Sequence, residues 1–453
     1  MFTTTPIERP SQSVNRRIFR AAVSVGAAGI LVKLVAAFKE VAVAGVYGRS
    51  DAIDAFFAAF LIPNLLINLI SESMNQALVP TFVRVRETEG RRRAQELLSN
   101  SMLWMCLLLA AASGAMALAA RGFFPLIASH FPPAKMALAV RLFYGLLPVV
   151  LFTGIATLST GVLNTFDRFT LPALAPMANS LAVIFGALFL SHRFGIWAVV
   201  YGTLAGALIH AGLVGGMMRG QGFSFRLRWY GMTEATREVG RQYGPVLLSG
   251  VVASSGLIVD QSMAAMLPTG SVSALVYANR FTAVVLTLLA GSVSSAVTPY
   301  FSTMIAHRDW AQCRHTLRTW LRLTGLASVP IAAVLIAGSH LLVRIAFQRG
   351  AFGPRDTAIV AQVLVMFAIQ IPFVVASRVF YRFLVAMRRT DLVFYCGAVN
   401  LGLDIVLNLI LMRWLGVAGI ALATSLWTIS TFFFLWYWTW RLVPAAAGEN
   451  LPG

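Results

Sequence analysis

AAVSVGAAGILVKLVAAFKEVAVAGVY, residues 21–47, is an apolar run of membrane-spanning length that carries Lys33, Lys39 and Glu40 within it. A helix that crosses a bilayer needs about 20 predominantly apolar residues, so this stretch reads as a transmembrane helix. Charges at bilayer depth cost on the order of several kcal/mol each unless they face water or a partner, which makes them candidates for function. The chain has three lysines among 36 basic residues, and two of them lie here. Lys33 and Lys39 therefore mark a buried cationic cavity built to hold an anion. The third, Lys135, lies near a segment boundary.

Working outward, the whole chain has the same character: 58% hydrophobic, 12% charged, with a mean hydropathy of +0.76. These values lie far outside the range of soluble domains. Further spans are expected at 52–79, 98–120, 137–163, 171–192, 195–217, 243–267, 272–302, 319–341, 358–386, 392–412 and 416–440, giving twelve in all. Arginines alternate in density between successive loops. One set holds Arg16, Arg17 and Arg20, then Arg84 to Arg93, Arg219 to Arg241, Arg308 to Arg318, and Arg388 with Arg389; the other holds far fewer, among them Arg49, Arg121, Arg349 and Arg355. By the positive-inside rule the dense set is cytoplasmic, as are both termini. The formal charge of +19 is thus a topology signal. Nucleic acid is not an expected partner, because no loop is long enough for a basic domain. Residues 1–20 lack the core and cleavage site of a signal peptide, so the first span is expected to be retained. Cys106, Cys313 and Cys396 show no ligand or disulfide spacing and read as helix packing.

Shifting the chain against itself by 221 residues aligns Arg168 with Arg389, Asn179 with Asn400, Gly195 with Gly416, Ile196 with Val417 and Thr203 with Thr424. The same offset sets Lys39 on Asp260 and Ser50 on Ser271. A constant offset across helix, loop and helix points to an internal duplication. The expected fold class is an all-α polytopic membrane protein with two parallel six-helix lobes. The expected divisions are a cytoplasmic segment 1–20, an N-lobe 21–217, a linker 218–242, a C-lobe 243–440 and a cytoplasmic tail 441–453. Two halves related by an axis along the membrane normal suit a transporter that rocks one half against the other around a central site.

Lys33 and Lys39 are six residues apart, about 120° from facing the same way on a straight helix. They share a cavity if the helix bends or the cavity is wide. The next span carries Asp54 and, between Pro63 and Pro80, Glu72. Pro63 leaves backbone carbonyls to be satisfied inside the protein. An acid such as Glu40 or Glu72 pairing with a lysine would balance the empty cavity. In the second half, Asp260 is mid-span, Arg280 lies early in the next span, and Asn400, Asp404 and Asn408 recur at i, i+4 and i+8. With Thr424, these are hard oxygen donors suited to a small cation, against the alternative of interhelical hydrogen bonding alone. His210 is expected to hydrogen-bond a neighbouring helix, and the aromatic cluster 432–440 to form an interfacial belt. No Walker motif or catalytic triad is found, so the chain reads as a transporter and not an enzyme.

The stretch KEVAVAGVYGRSDAIDAFFAAFLIPNLLINLISESMNQALVP, 39–80, resembles the MurJ/MviN family of lipid II flippases. Further matches are GVLNTFDRFTLPALAP at 161–176, GSVSALVYANR at 270–280, AFQRGAFGPRDT at 346–357 and LGVAGIALATSL at 415–426. The resemblance implies a V-shaped pair of lobes of the multidrug/oligosaccharidyl-lipid/polysaccharide exporter superfamily, in a bacterial cytoplasmic (inner) membrane. It implies that Lys33, Lys39 and Arg280 receive the diphosphate of an undecaprenyl-linked glycan, with Asp54 and Glu72 on family acidic positions. It also implies a sodium ion held by Asp260, Asp404, Asn408 and Thr424, with Ile420 as a carbonyl donor, and no other cofactor. Departures are lysines for two family arginines, Ile67 for a further arginine, Val32 for a small polar residue, and twelve expected spans where the family usually carries two more.

Expected partners are the undecaprenyl-diphosphate-linked glycan, membrane lipids, and cell-wall or polysaccharide synthases. The leading function is translocation of lipid II or a related lipid-linked glycan. The cargo is lipid II or the repeat unit of an exopolysaccharide. A cation-coupled multidrug exporter, a glycan ligase or polymerase, and a transport-dead scaffold are the other readings. Lysines in the first half oppose the exporter, and short outside loops oppose the ligase.

Overall fold

The computed structural model describes residues 12–166, 170–387 and 389–443; Arg168 and Arg388 lie outside the described residues. Among the described residues the structure is built from helices. They are α1 (Gln12–Tyr47), α2 (Asp51–Thr88), α3 (Arg91–Ile127), α4 (Pro133–Phe166), α5 (Leu171–Phe194), α6 (Trp197–Gly220) and α7 (Glu234–Ala265). Then follow α8 (Ser271–Ala306), α9 (Trp310–Ala337), α10 (Ser339–Phe347), α11 (Pro354–Ala386), α12 (Thr390–Leu415) and α13 (Val417–Leu442). Eleven helices among the described residues are long and apolar enough to cross a membrane. Helix α1, which holds the first expected span, adds 36 residues.

Several helices overrun the expected spans. Helix α3 runs for 37 residues, against an expectation of 98–120, because polar partners carry it past the apolar stretch. Gln95 exchanges two 2.9 Å hydrogen bonds with the backbone of Ser224, and Asn100 bonds the carbonyl of Gly231 and the N–H of Tyr230, each at 2.9 Å. These amides imitate a strand partner for the connection between α6 and α7. The expected span 319–341 is instead broken at Gly338, whose backbone leaves the helical region and separates α9 from α10. Helix α2 tolerates Pro63 inside it and widens into a π-turn at Ile67–Glu72, one way the backbone adapts where hydrogen bonding is disturbed.

The duplication is visible in the backbone. Gly195, between α5 and α6, has φ 54° and ψ −136°, and Gly416, between α12 and α13, has φ 56° and ψ −135°. Each N–H donates to the residue four before it, Ser191 and Met412, and each carbonyl accepts from the residue three after it, Ala198 and Gly419. Thr203 and Thr424 likewise both donate to the carbonyl four residues back, at 2.8 and 3.1 Å. A positive φ at a helix C-terminus is the conformation that glycine alone adopts without strain.

Contacts divide the chain into two compact units. The first comprises 1–39, 63–115 and 145–247; the second comprises 40–62, 116–144 and 248–453. In the second, Phe301, Leu317, Phe380, Phe383 and Leu435 form a buried core that includes Cys313 and Cys396. All three cysteines are free thiols.

Candidate functional site

Helix α1 passes through Lys33 and Lys39 without a break, so the two lysines leave the helix in different directions. Both belong to the first unit, where Lys33 is exposed and Lys39 half-buried. Glu72 ends the π-turn of α2 in the same unit and is exposed.

Arg280 and Asp54 belong to the second unit. Arg280 Nη2 lies 3.0 Å from Glu40 Oε1; the glutamate side chain is 3% exposed and the arginine side chain 51%. One edge of the guanidinium therefore holds a buried acid while the rest stays open, and a guanidinium fork is shaped to take two oxygens of a phosphate.

Asp54 is fully engaged. Its Oδ2 accepts from the Gly270 N–H at 2.6 Å and its Oδ1 from the Ser273 N–H at 2.9 Å. These donors belong to the first turn of α8, whose N–H groups lack intrahelical partners, and a carboxylate there also meets the positive end of the helix dipole. Lys135 Nζ lies 3.0 Å from Asp54 Oδ2 and 2.7 Å from Asp51 Oδ1. Asp51 Oδ1 in turn accepts from the Thr269 hydroxyl at 2.9 Å. Asp54 is thus a tie between segments in this state, with no open oxygen for a ligand.

The tie continues on both sides. Arg49 Nε donates to the Gly270 carbonyl at 2.8 Å, and Nη1 pairs with Asp356 at 3.3 Å. Burial lowers the Arg49 pKa, and the Asp356 and Asp54 carboxylates oppose that shift. The Ala351 N–H donates to the Gly45 carbonyl at 2.8 Å. Tyr277 is buried among Phe57, Phe347 and Phe352 and donates to the Gly48 carbonyl at 3.2 Å. The sequence analysis had not assigned Arg49, Lys135 or Tyr277 a place here. Only the rarity of lysine pointed toward Lys135.

The expected cation residues do come together. Asn408 Nδ2 donates to Asp260 Oδ1 at 2.9 Å and to Asp404 Oδ1 at 3.0 Å. Thr424 Oγ1 lies 3.0 Å from Asp260 Oδ2 and 3.1 Å from the Ile420 carbonyl. Asp260, Asp404 and Asn408 are buried. Asp404 Oδ2 and Asn408 Oδ1 are buried with no hydrogen-bond partner among the described residues, an arrangement that is costly unless a cation or proton fills it. Among the described residues there is no group of three or more His, Cys, Asp or Glu that could hold a metal ion. The cluster instead offers mixed carboxylate, amide, hydroxyl and carbonyl oxygens, a donor set that fits a hard monovalent cation. Asn400, at the head of the same stripe, turns away and donates to Thr431 at 2.7 Å. A cavity of about 790 Å³ reaches this cluster, lined by Asp260, Asp404, Asn400, Arg378, Tyr381 and Trp427 among others. His210 does not make the expected hydrogen bond through Nε2, which is buried without a partner among the described residues.

A family model described as "Lipid II flippase MurJ" matches residues 43–448. A "Probable lipid II flippase MurJ" from Synechocystis sp. is 24% identical over 454 residues, covering 97% of this chain and 85% of that protein. A "Lipid II flippase MurJ" from Burkholderia cenocepacia is 28% identical over 374 residues, covering 78% and 70%. Among solved structures, "Lipid II flippase MurJ, inward closed conformation" superposes with a TM-score of 0.79 at 24% identity, over 92% of this chain and 87% of that one. A multidrug resistance MATE family transporter of the MOP superfamily gives 0.70 at 14% identity, over 93% and 98%. These likenesses show that the chain shares the helical fold of those structures.

Proposed function

The chain belongs to the MurJ family of lipid II flippases, and from that premise we propose that it moves an undecaprenyl-diphosphate-linked saccharide across the cytoplasmic membrane by alternating access. The observation that carries this reading is Arg280, half-exposed while it holds the buried Glu40. A diphosphate cannot cross hydrocarbon unaided. Lys33, Lys39 and Arg280 supply the cationic path, with Glu72 nearby in sequence to moderate it. A diphosphate that engages Arg280 competes with Glu40, so cargo binding loosens a contact of the tie described above. When the cargo leaves, Glu40 takes Arg280 back.

The loops that form the tie carry few arginines and are the outside loops in this reading, with both termini cytoplasmic. Asp260, Asp404, Asn408, Thr424 and the Ile420 carbonyl would hold sodium. Bound there, sodium would place one positive charge against the Asp260 and Asp404 pair. The residues themselves join α7, α12 and α13 through Asn408 and Thr424.

The cargo is lipid II or a related lipid-linked glycan. Lysine binds phosphate as a point charge and lacks the arginine fork, and Ile67 is buried where the family carries a further arginine; both favour tests with exopolysaccharide repeat units alongside lipid II. The test is replacement of a resident lipid II flippase in a depletion strain. Growth and outer-leaflet lipid II restored by the chain, and lost in Lys39→Ala, support the reading; failure at normal membrane abundance opposes lipid II as cargo.

A further inference from the structure

Lys135 is buried at 6% exposure, yet the diphosphate path and the cation cluster leave it without a task. Its ammonium lies between Asp51 and Asp54 and against the face of Phe131, 4.2 Å from the ring centroid. The charged and polar groups around it fall into two sets. Asp51, Asp54 and Phe131 lie, like Lys135, in the first half of the duplication. Thr269, Gly270 and Ser273, which bond Asp51 and Asp54, lie in the second half. Arg49 bridges the same seam from the first half to Gly270 and Asp356.

Both sides of this seam lie within the second compact unit; if the two halves of the duplication part there, the bonds differ in fate. Asp54 loses two backbone N–H donors and the helix N-terminus of α8, and Asp51 loses the Thr269 hydroxyl. The Lys135 bonds join residues of one half and survive. In the closed state Asp54 has three donors; in the parted state Lys135 is the one of the three that stays, beside the charge of Arg49 from the same half. A charged carboxylate stripped of hydrogen-bond donors in a partly dry environment is strongly disfavoured. The lysine therefore contributes more to the parted state than to the closed one.

We propose that Lys135 is a positioning residue for transport: it keeps Asp54 charge-balanced while the closure is open, and so sets how readily the outside face opens. This rests on the alternating-access reading above. It goes beyond that reading by assigning the opening step to a residue that touches no cargo. Asp51, whose side chain is 56% exposed, can be hydrated in either state, so the effect runs through Asp54.

The test reads opening directly, without cargo. Ala274 is fully buried one turn into α8, and Ala274→Cys, in a chain whose three native cysteines are replaced by alanine, reports exposure to a membrane-impermeant maleimide added from outside. Lys135→Met should slow labelling about tenfold, the size expected for losing one charge-assisted hydrogen bond in one state only. Lys135→Arg should label near the parent rate. The double variant Lys135→Met/Asp54→Asn should label at the rate of Asp54→Asn alone, because the uncompensated charge is gone; a role confined to holding the closed state would instead make Lys135→Met label faster than the parent. Labelling by Lys135→Met at or above the parent rate overturns the proposal, as does a double variant that labels more slowly than Asp54→Asn alone. If Lys135→Met does not accumulate in the membrane, Lys135→Gln, which keeps a hydrogen-bond donor without the charge, is labelled in its place: labelling slower than the parent supports the proposal, and labelling at or above the parent rate overturns it. A parent chain that labels but flips no lipid-linked glycan would sink the transport reading and leave the Lys135 result standing.

Discussion

Arg280 Nη2 and Glu40 Oε1, 240 positions apart in the chain, meet at 3.0 Å. The buried acid cannot go unpaired without cost, while the half-exposed arginine can be solvated and is discounted accordingly. Arg280→Ala should therefore do two things: reduce flipping by about tenfold or more, and weaken the closure by removing one partner of the buried Glu40. Arg280→Lys should retain part of the transport but less of the closure, since a point charge replaces a fork. Flipping rates and maleimide exposure of Ala274→Cys, read together, check both.

Lys39 lies at the end of the first unit, half-buried and next in sequence to Glu40. Lys39→Ala should abolish flipping and Lys39→Arg should preserve it, because the requirement is for cationic charge at that depth. Unchanged transport by Lys39→Ala would remove this residue from the cargo path.

The orphaned oxygens of Asp404 and Asn408 make a prediction about ions. A ligand that binds the folded state raises its stability in proportion to the logarithm of ligand concentration. The melting temperature of the purified protein should therefore rise with sodium at constant ionic strength. Asp404→Asn and Asp260→Asn should flatten that rise. An equal sodium response in these variants would contradict the proposed cation site.

Gly195 and Gly416 share one backbone conformation, and a Cβ at either would meet nothing within 4 Å. Alanine there suffers only the backbone conformation, a positive φ with ψ near −135°, which costs on the order of 1–3 kcal/mol. Gly195→Ala and Gly416→Ala should thus lower thermal stability by similar amounts. Gly48→Ala should cost more, because φ is +56° and the new Cβ would also lie 2.6 Å from the Ala351 carbonyl. Thermal unfolding of the three variants compares them.

Much of the architecture was legible because it is written in side chains at helical spacing. Apolar length marked the spans, and the 221-residue offset located the Gly195 and Gly416 turns before any coordinates. The i, i+4 spacing of Asp404 and Asn408 placed both on one face, where they meet Asp260 and Thr424. The closure was far less legible. Asp54 is held by backbone N–H groups of Gly270 and Ser273, and a backbone donor has no letter of its own in a sequence. Lys135, Arg49 and Tyr277 find partners in distant segments, so local pattern does not reveal them. The break at Gly338 falls inside an expected span, where Gly338, Ser339 and His340 only briefly interrupt the apolar sequence, and Gln95, outside the expected span, bonds Ser224 in a distant strap.

The most direct measurement is flipping by the purified chain in sealed proteoliposomes. A fluorescent undecaprenyl-diphosphate-linked glycan is loaded into both leaflets and an impermeant quencher is added outside. The account predicts that the protected fraction falls with time in vesicles carrying the chain, stays constant with Lys39→Ala, and falls about tenfold more slowly or slower still with Arg280→Ala. A protected fraction that never falls, for lipid II and for exopolysaccharide repeat units alike, with folded protein in the membrane, would contradict it.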